Sequence, residues 1–319
     1  MLHGLVGRTI LKVLEEKNFS NFEYVLFASS RSAGSKLPLF NKMHTVYELK
    51  EDSFYSGFHF AIFSAGSNIS KKFAPIAVNN GCVVIDNSNA FRMNCDVPLI
   101  VPEVNSEEIF NHHGIIANPN CSTIQAVVVL KPLDEKYSIK RIVYSTYQAV
   151  SGAGQLGIDD YNNSLKNISP KKFPYAIANN CIPHIDDFLN NGYSKEEIKM
   201  IEETRKILKK PKLNITATAV RVPVLNCHSE AINIEFEKDF LLSELKSLLQ
   251  SSPGIIVQDD IFHNIYPLAS NACGKDNVFV GRIRCDNSIP HGINLWVVAD
   301  NLRKGAASNA VQILEKLIN

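Results

Sequence analysis

The sequence predicts an α/β protein in two parts, and three observations carry that reading. Over roughly the first hundred residues, short and nearly continuous apolar runs alternate with helical patterns. Strands of that kind are buried on both faces, which describes a parallel sheet covered by helices. Past Cys121 the apolar runs lengthen and fewer helical patterns separate them, as expected of an α+β domain. With 319 residues, 45% hydrophobic and 20% charged, the chain has material for two cores. The expected division is a first domain at 1–120, a second at 121–300, and a segment 301–319 that returns to the first.

In chain order, residues 6–14 are helical in pattern, and 24–28 and 58–63 read as strands. A helix over 70–79 and a strand over 82–86 follow. The stretch NPNCSTIQ at 118–125 is a turn, because Pro119 and its flanking asparagines favour one, and the apolar run from Ile124 to Leu130 follows at once. Cys121 therefore falls at a helix N-terminus, where unpaired N–H groups and the helix dipole favour an anion. A thiol there ionises easily and becomes a nucleophile, and the same N–H groups can hold an oxyanion. A lone cysteine is more often a small apolar core residue, so the rest of the chain must decide between the two. Strands are expected over 139–147, 215–222, 230–236, 278–285 and 294–299, a helix over 195–210, and an amphipathic last helix over 306–317.

Composition excludes several classes of function. A net charge of +1 provides no general field to recruit nucleic acid or a membrane surface. The longest apolar runs are far too short to cross a bilayer, and no secretory signal pattern opens the chain. The seven cysteines are scattered and lack a CxxC pair, which argues against a disulfide framework or zinc site and for a reducing cytoplasm.

Two loops have the character of a dinucleotide site. Gly4 and Gly7 precede the first helix, whose N-terminus would receive a pyrophosphate. After the strand at 24–28 come Ser29, Arg31 and Ser32, where an NAD site usually has an acidic residue. An arginine among hydroxyls suits a 2′-phosphate instead. The loop at 64–67 follows the next strand, at the strand end where ligands collect in open α/β sheets.

These motifs resemble those of the bacterial aspartate-β-semialdehyde dehydrogenases. The resemblance runs from Gly4 to Asn319 and rests on NPNCSTIQ at 118–125, YQAVSGAG at 147–154, EETRK at 202–206, RVPVLNCHSE at 221–230 and DNLRKGAASNAVQI at 300–313. It implies a Rossmann-like NADP-binding domain and a catalytic and dimerisation domain of the glyceraldehyde-3-phosphate dehydrogenase type. The implied reaction is reduction of L-aspartyl 4-phosphate by NADPH to aspartate semialdehyde and phosphate, toward lysine, threonine and methionine, in a cytoplasmic homodimer that uses no metal. By the same resemblance Cys121 matches the nucleophile, Asn120 a residue shaping its turn, Gln148 the glutamine that orients the acyl intermediate, and His228 the acid/base. Arg221 matches the grip on the substrate carboxylate, Glu203 the contact to its amine, and Arg92 and Lys206 phosphate-binding positions. Gly4, Gly7, Ser29, Arg31 and Ser32 match the cofactor loop and 2′-phosphate site, while Ser151, Gly152, Gly154 and Asn301 match positions near the nicotinamide.

The chemistry calls for these residue types. A thiolate attacks an acyl phosphate, expels phosphate and leaves a thioester, which accepts hydride more readily than a carboxylate does. Histidine shuttles protons near neutrality, and a planar arginine holds a carboxylate in two bonds. Glu203 and Lys206, at i, i+3, can share one helix face. The family opens with an apolar strand and a GxxGxxG loop; here Met1 stands at the first glycine, so weaker cofactor binding is expected. The alternatives are an N-acetyl-γ-glutamyl-phosphate reductase, a glyceraldehyde-3-phosphate dehydrogenase, which as an NAD enzyme would want an acidic residue near Arg31, and a non-catalytic paralogue that kept the fold.

Overall fold

The computed structural model describes residues 4–318, so the expectation about Met1 and the strand before it lies outside the described residues. The elements in order are α1 (Leu5–Glu16), β1 (Leu26–Ala28), β2 (Lys36–Leu39), β3 (Lys42–Glu48), β4 (Phe60–Phe63), α2 (Ser67–Asn79), β5 (Val83–Asp86), α3 (Pro102–Asn105) and β6 (Ile115–Ala117). Then come α4 (Cys121–Tyr137), β7 (Ile139–Gln148), α5 (Gln155–Ser164), α6 (Lys195–Ile207), β8 (Asn214–Arg221) and β9 (His228–Phe236). The chain ends with α7 (Leu242–Ser251), β10 (Ile255–Val257), α8 (Ala269–Ala272), β11 (Val278–Asp286), β12 (Gly292–Ala299) and α9 (Ser308–Ile318). They form two compact units, Met1–Pro119 with Ala306–Asn319, and Asn120–Gly305.

In the first unit the strands form two three-stranded sheets, β1-β3-β2 and β4-β5-β6. The second sheet is wholly parallel, as the short apolar runs require, but in the first β2 returns antiparallel to β3. The sequence reading missed that hairpin because Lys36, Lys42 and other polar residues dilute its apolar alternation. α1 buries Ile10, Leu11, Val13 and Leu14 along one face, at helical spacing. Gly4 caps it in extended geometry, and Gly7 lies inside the helix, not in the turn before it. α9 returns to this unit, where Ala310, Val311, Ile313 and Leu314 join Ile10, Val13, Leu14, Ile85 and Ile116 in one core. Each such Val, Leu or Ile side chain removed from water stabilises the unit by roughly 1.5–3 kcal/mol before chain entropy is subtracted.

The second unit is built on a six-stranded mixed sheet, ordered β10-β11-β12-β9-β7-β8. Along β9 the residues alternate between buried and half-buried: His228, Glu230, Ile232, Ile234 and Phe236 face inward, and Ser229, Ala231, Asn233 and Glu235 face out. α4 packs on the inward face with α6 and α7 beside it. Its residues from Ser122 to Leu130 are all buried, which is why the run from Ala126 to Leu130 is apolar on every side with no amphipathic stripe. In this unit Asn120 bonds to α6, and Asn301 bonds to Ser151 and Cys227.

Candidate active site

The site in the second unit begins at the N-terminus of α4. Asn120 is the cap: its Oδ1 accepts from the Ser122 and Thr123 N–H groups at 2.9 and 3.3 Å. Two carboxylates of α6 hold the cap in turn. Glu203 accepts the Asn120 backbone N–H at 2.6 Å, and Glu196 accepts the Asn120 amide at 2.9 Å. Glu196 also accepts from Gln148 Nε2 at 3.2 Å, tying the end of β7 into the same cluster. Cys121, the first residue of α4, is part-exposed, while the capping groups around it are buried. A Cβ placed on Gly305 would lie 2.9 Å from Cys121 Cβ, so a bare glycine keeps the chain close behind the thiol.

β8 and β9 bring the cationic side of the site. Arg221 ends β8, is 5% exposed, and donates to the Ala149 carbonyl at 2.6 Å. Burial pulls its pKa down, and the nearby charges of Glu196 and Cys121 pull it back up. His228 opens β9 and is fully buried; its Nδ1 accepts the Ala149 N–H at 3.0 Å. The neutral ring therefore has its proton on Nε2, which has no partner within the described residues. Burial, and then the Arg221 charge, hold the imidazole well below its ordinary pKa, so it is neutral at pH 7. Gly152 lies against both: a methyl there would meet Arg221 Nη1 at 2.8 Å and His228 Nε2 at 3.2 Å. The arrangement joins a capped cysteine, a buried cation and a neutral N–H donor, the parts needed to attack an acyl group and hold its oxyanion.

Other expected residues fall nearby. Lys206 is half-buried on α6, one turn past Glu203. Ser151 and Asn301 bond to each other at 3.1 Å, and Asn301 Oδ1 accepts the Cys227 N–H at 2.9 Å. Gly154 has φ +74° and caps α5, a conformation that only glycine adopts easily. Arg92 belongs to the first unit, where it is buried on the Asn118 and Asn87 carbonyls. Gly4, Gly7, Ser29, Arg31 and Ser32 are also in that unit. There Arg31 is exposed with no hydrogen bond or ion pair to the described residues, and Ser29 Oγ is buried without a partner. Among the described residues, an α1 N-terminus whose cap makes no side-chain hydrogen bond, an unengaged guanidinium and an unpartnered hydroxyl fit a phosphorylated nucleotide.

The sequence reading missed Glu196 and Gly305. Glu196 lies seven residues before Glu203, two turns up the same helix face, and that spacing was the available signal. Gly305 had only its place inside the 300–313 motif.

Comparison with known proteins follows the same division. A family described as "Semialdehyde dehydrogenase, NAD binding domain" matches residues 2–112, and "Semialdehyde dehydrogenase, dimerisation domain" matches 130–304. The aspartate-semialdehyde dehydrogenase of Aquifex aeolicus is 53% identical over 99% of this chain and 95% of its own length. That of Bacillus subtilis is 46% identical over 98% of this chain and 94% of its own. A crystal structure of the Vibrio cholerae enzyme II, complexed with ASA, superposes with a TM-score of 0.95 at 46% identity, covering 99% of this chain and 96% of that one.

Proposed function

This chain belongs to the aspartate-semialdehyde dehydrogenase family, and we propose that it reduces L-aspartyl 4-phosphate to L-aspartate 4-semialdehyde through a thioester on Cys121. It is an oxidoreductase of amino-acid biosynthesis with a nicotinamide dinucleotide cofactor. The observation that carries the mechanism is the capped Cys121 in the same cluster as Arg221 and the proton-bearing Nε2 of His228. The Cys121 thiolate attacks the acyl carbon, the carbon–oxygen bond to phosphate breaks, and phosphate departs. Bound NADPH supplies the hydride. His228 donates its Nε2 proton in a hydrogen bond to the oxygen that gains charge, and the carbon–sulfur bond then breaks to release the aldehyde and regenerate the thiolate.

Arg221 holds the substrate carboxylate and Glu203 its amine, while Arg92 and Lys206 are each given a phosphate-binding role; Gln148, held by Glu196, orients the acyl group. NADP is the preferred nucleotide, with Ser29, Arg31 and Ser32 on its 2′-phosphate and Gly4 and Gly7 at the start of α1 beside the pyrophosphate. Ser151, Gly152, Gly154 and Asn301 serve the nicotinamide end. The half-exposed outer face of the sheet, with Val143, Ser145, Asn233 and Trp296 lining a shallow hollow, supports a homodimer. Among the described residues no helix is long and apolar enough to cross a membrane, and the cysteines are free thiols, which suits a reducing cytoplasm. Neither N-acetyl-γ-glutamyl-phosphate reduction nor a non-catalytic role is favoured by the relatives.

The test is phosphate-dependent reduction of NADP by the purified chain with aspartate semialdehyde. Turnover that requires phosphate and vanishes in Cys121→Ala is the expected result; turnover surviving that substitution would end the thioester reading.

A further inference from the structure

We propose that Cys227, Cys273 and Asp300 form a binding site for one soft divalent cation of the zinc or cadmium class. Along the chain these residues are far apart, and nothing in their spacing marks them as ligands. The fold of the second unit brings their sulfur and oxygen atoms to within 4.8 Å of one another. A tetrahedral ion with bonds of about 2.3 Å to sulfur and about 2.0 Å to oxygen spaces its donors roughly 3.5–3.8 Å apart. Closing the remainder takes about an ångström. Cys273, exposed at the end of α8, is the ligand with room to move.

The surroundings are built for a cation more than for a disulfide. Asp300 is 4% exposed and forms no salt bridge with the described residues; the neighbouring Arg303 is paired with Asp276. Three backbone N–H groups aim the carboxylate: Leu302 and Arg303 donate to Oδ1 at 2.9 and 3.2 Å, and Gly274 donates to Oδ2 at 2.8 Å. The Gly274 bond ties the Cys273 turn to Asp300, and Oδ2 keeps a second lone pair for a metal. Cys227 is 1% exposed, packed with Ala272, Phe279 and Val298, and held at φ +73°. Cys227 sits in an apolar wall, and a divalent ion there would be held by its sulfur, the Cys273 sulfur and the Asp300 carboxylate together. Binding forms two metal–sulfur bonds, and the two thiol protons leave to solvent.

Two ligands directly precede residues of the candidate active site: Cys227 comes before His228, and Asp300 before Asn301. The Cys227 N–H also donates to Asn301 Oδ1. An ion drawing Cys227 and Asp300 together therefore acts on the backbone that positions His228 and Asn301.

The experiment uses the full-length chain carrying Cys121→Ser, so that the candidate nucleophile cannot supply a competing thiol. After reduction and removal of adventitious metal, Cd2+ is titrated and followed by its thiolate charge-transfer absorption and by proton release. The expected result is one equivalent bound with two protons released. Adding Cys273→Ser, at an exposed position that packing tolerates, should weaken binding by more than the about 10- to 100-fold typical of losing an outer-sphere partner. Asp300→Asn should weaken it as well, with circular dichroism checking the fold. Equal Cd2+ affinity with and without Cys273, or binding without proton release, overturns the site. So does closure of a Cys227–Cys273 disulfide under mild peroxide at the same rate with and without Cd2+.

Discussion

Gly152 has no side chain because two buried groups occupy the space one would fill. Moving Arg221 aside costs its bond to the Ala149 carbonyl, and His228 is held by the Ala149 N–H. Gly152→Ala should therefore lower kcat/KM by a factor on the order of 100, since small misplacements at a reacting centre are that costly, while the melting temperature changes little. Unchanged kinetics would show that Arg221 and His228 need not keep these positions. The two residues are separable by kinetics: loss of His228 should act mainly on kcat, and Arg221→Leu mainly on KM for aspartate semialdehyde. An unchanged KM in Arg221→Leu would remove the carboxylate assignment. At this scale the sequence named Cys121, Gln148, Arg221 and His228 because each lies in a dense motif. It missed Glu196, whose importance comes only from what folds against it, Asn120 and Gln148 from two other elements.

The N-terminus of α4 depends on α6 as much as on its own cap. Asn120→Ala should cost about 1 kcal/mol of stability through the lost cap and, by removing the side-chain amide that Glu196 accepts while the backbone N–H to Glu203 stays, should slow the acylation step as well. Denaturant unfolding and burst kinetics measure the two effects, and normal acylation in that variant would show that Cys121 needs no cap. β9 makes a second statement at this scale. Its inward alternation places Glu230 fully buried beside Gln125 and Ser122, and burial raises its pKa well above the ordinary 4.5. The folded state then keeps a proton that the unfolded chain releases above pH 4.5, so stability falls as pH rises, at about 1.4 kcal/mol per unit, until the folded pKa is reached. Glu230→Gln should remove that slope between pH 5 and 7 in urea unfolding. An identical slope in both proteins would mean that Glu230 is ionised in the fold. A strand over 230–236 was legible in the sequence, but a glutamate on its buried side was not, because a charged residue in an apolar pattern reads as outward-facing.

For the whole molecule, the sharpest prediction concerns the nucleotide. Arg31 is exposed in the first unit with its guanidinium unengaged by the described residues, so its charge is available to a 2′-phosphate. Arg31→Ala should weaken NADP binding by roughly 10- to 100-fold, the worth of a charge-assisted hydrogen bond, and leave NAD nearly unchanged. Calorimetry of both nucleotides with both proteins decides it. An equal loss for NAD would mean that Arg31 supports the loop and not the phosphate.

The sequence by itself determined the α/β fold class with its parallel strands, because strand burial on one or both faces is written in local periodicity. It also determined the cysteine at a helix start, because turn chemistry and an apolar run are neighbours in the chain. Only the tertiary structure decided which carboxylates hold that helix start, which tautomer His228 adopts, and that Cys227, Cys273 and Asp300 share one place. Each of these depends on atoms from elements distant in sequence meeting within a few ångströms. Local spacing has no record of such meetings, since they are set by how whole elements pack.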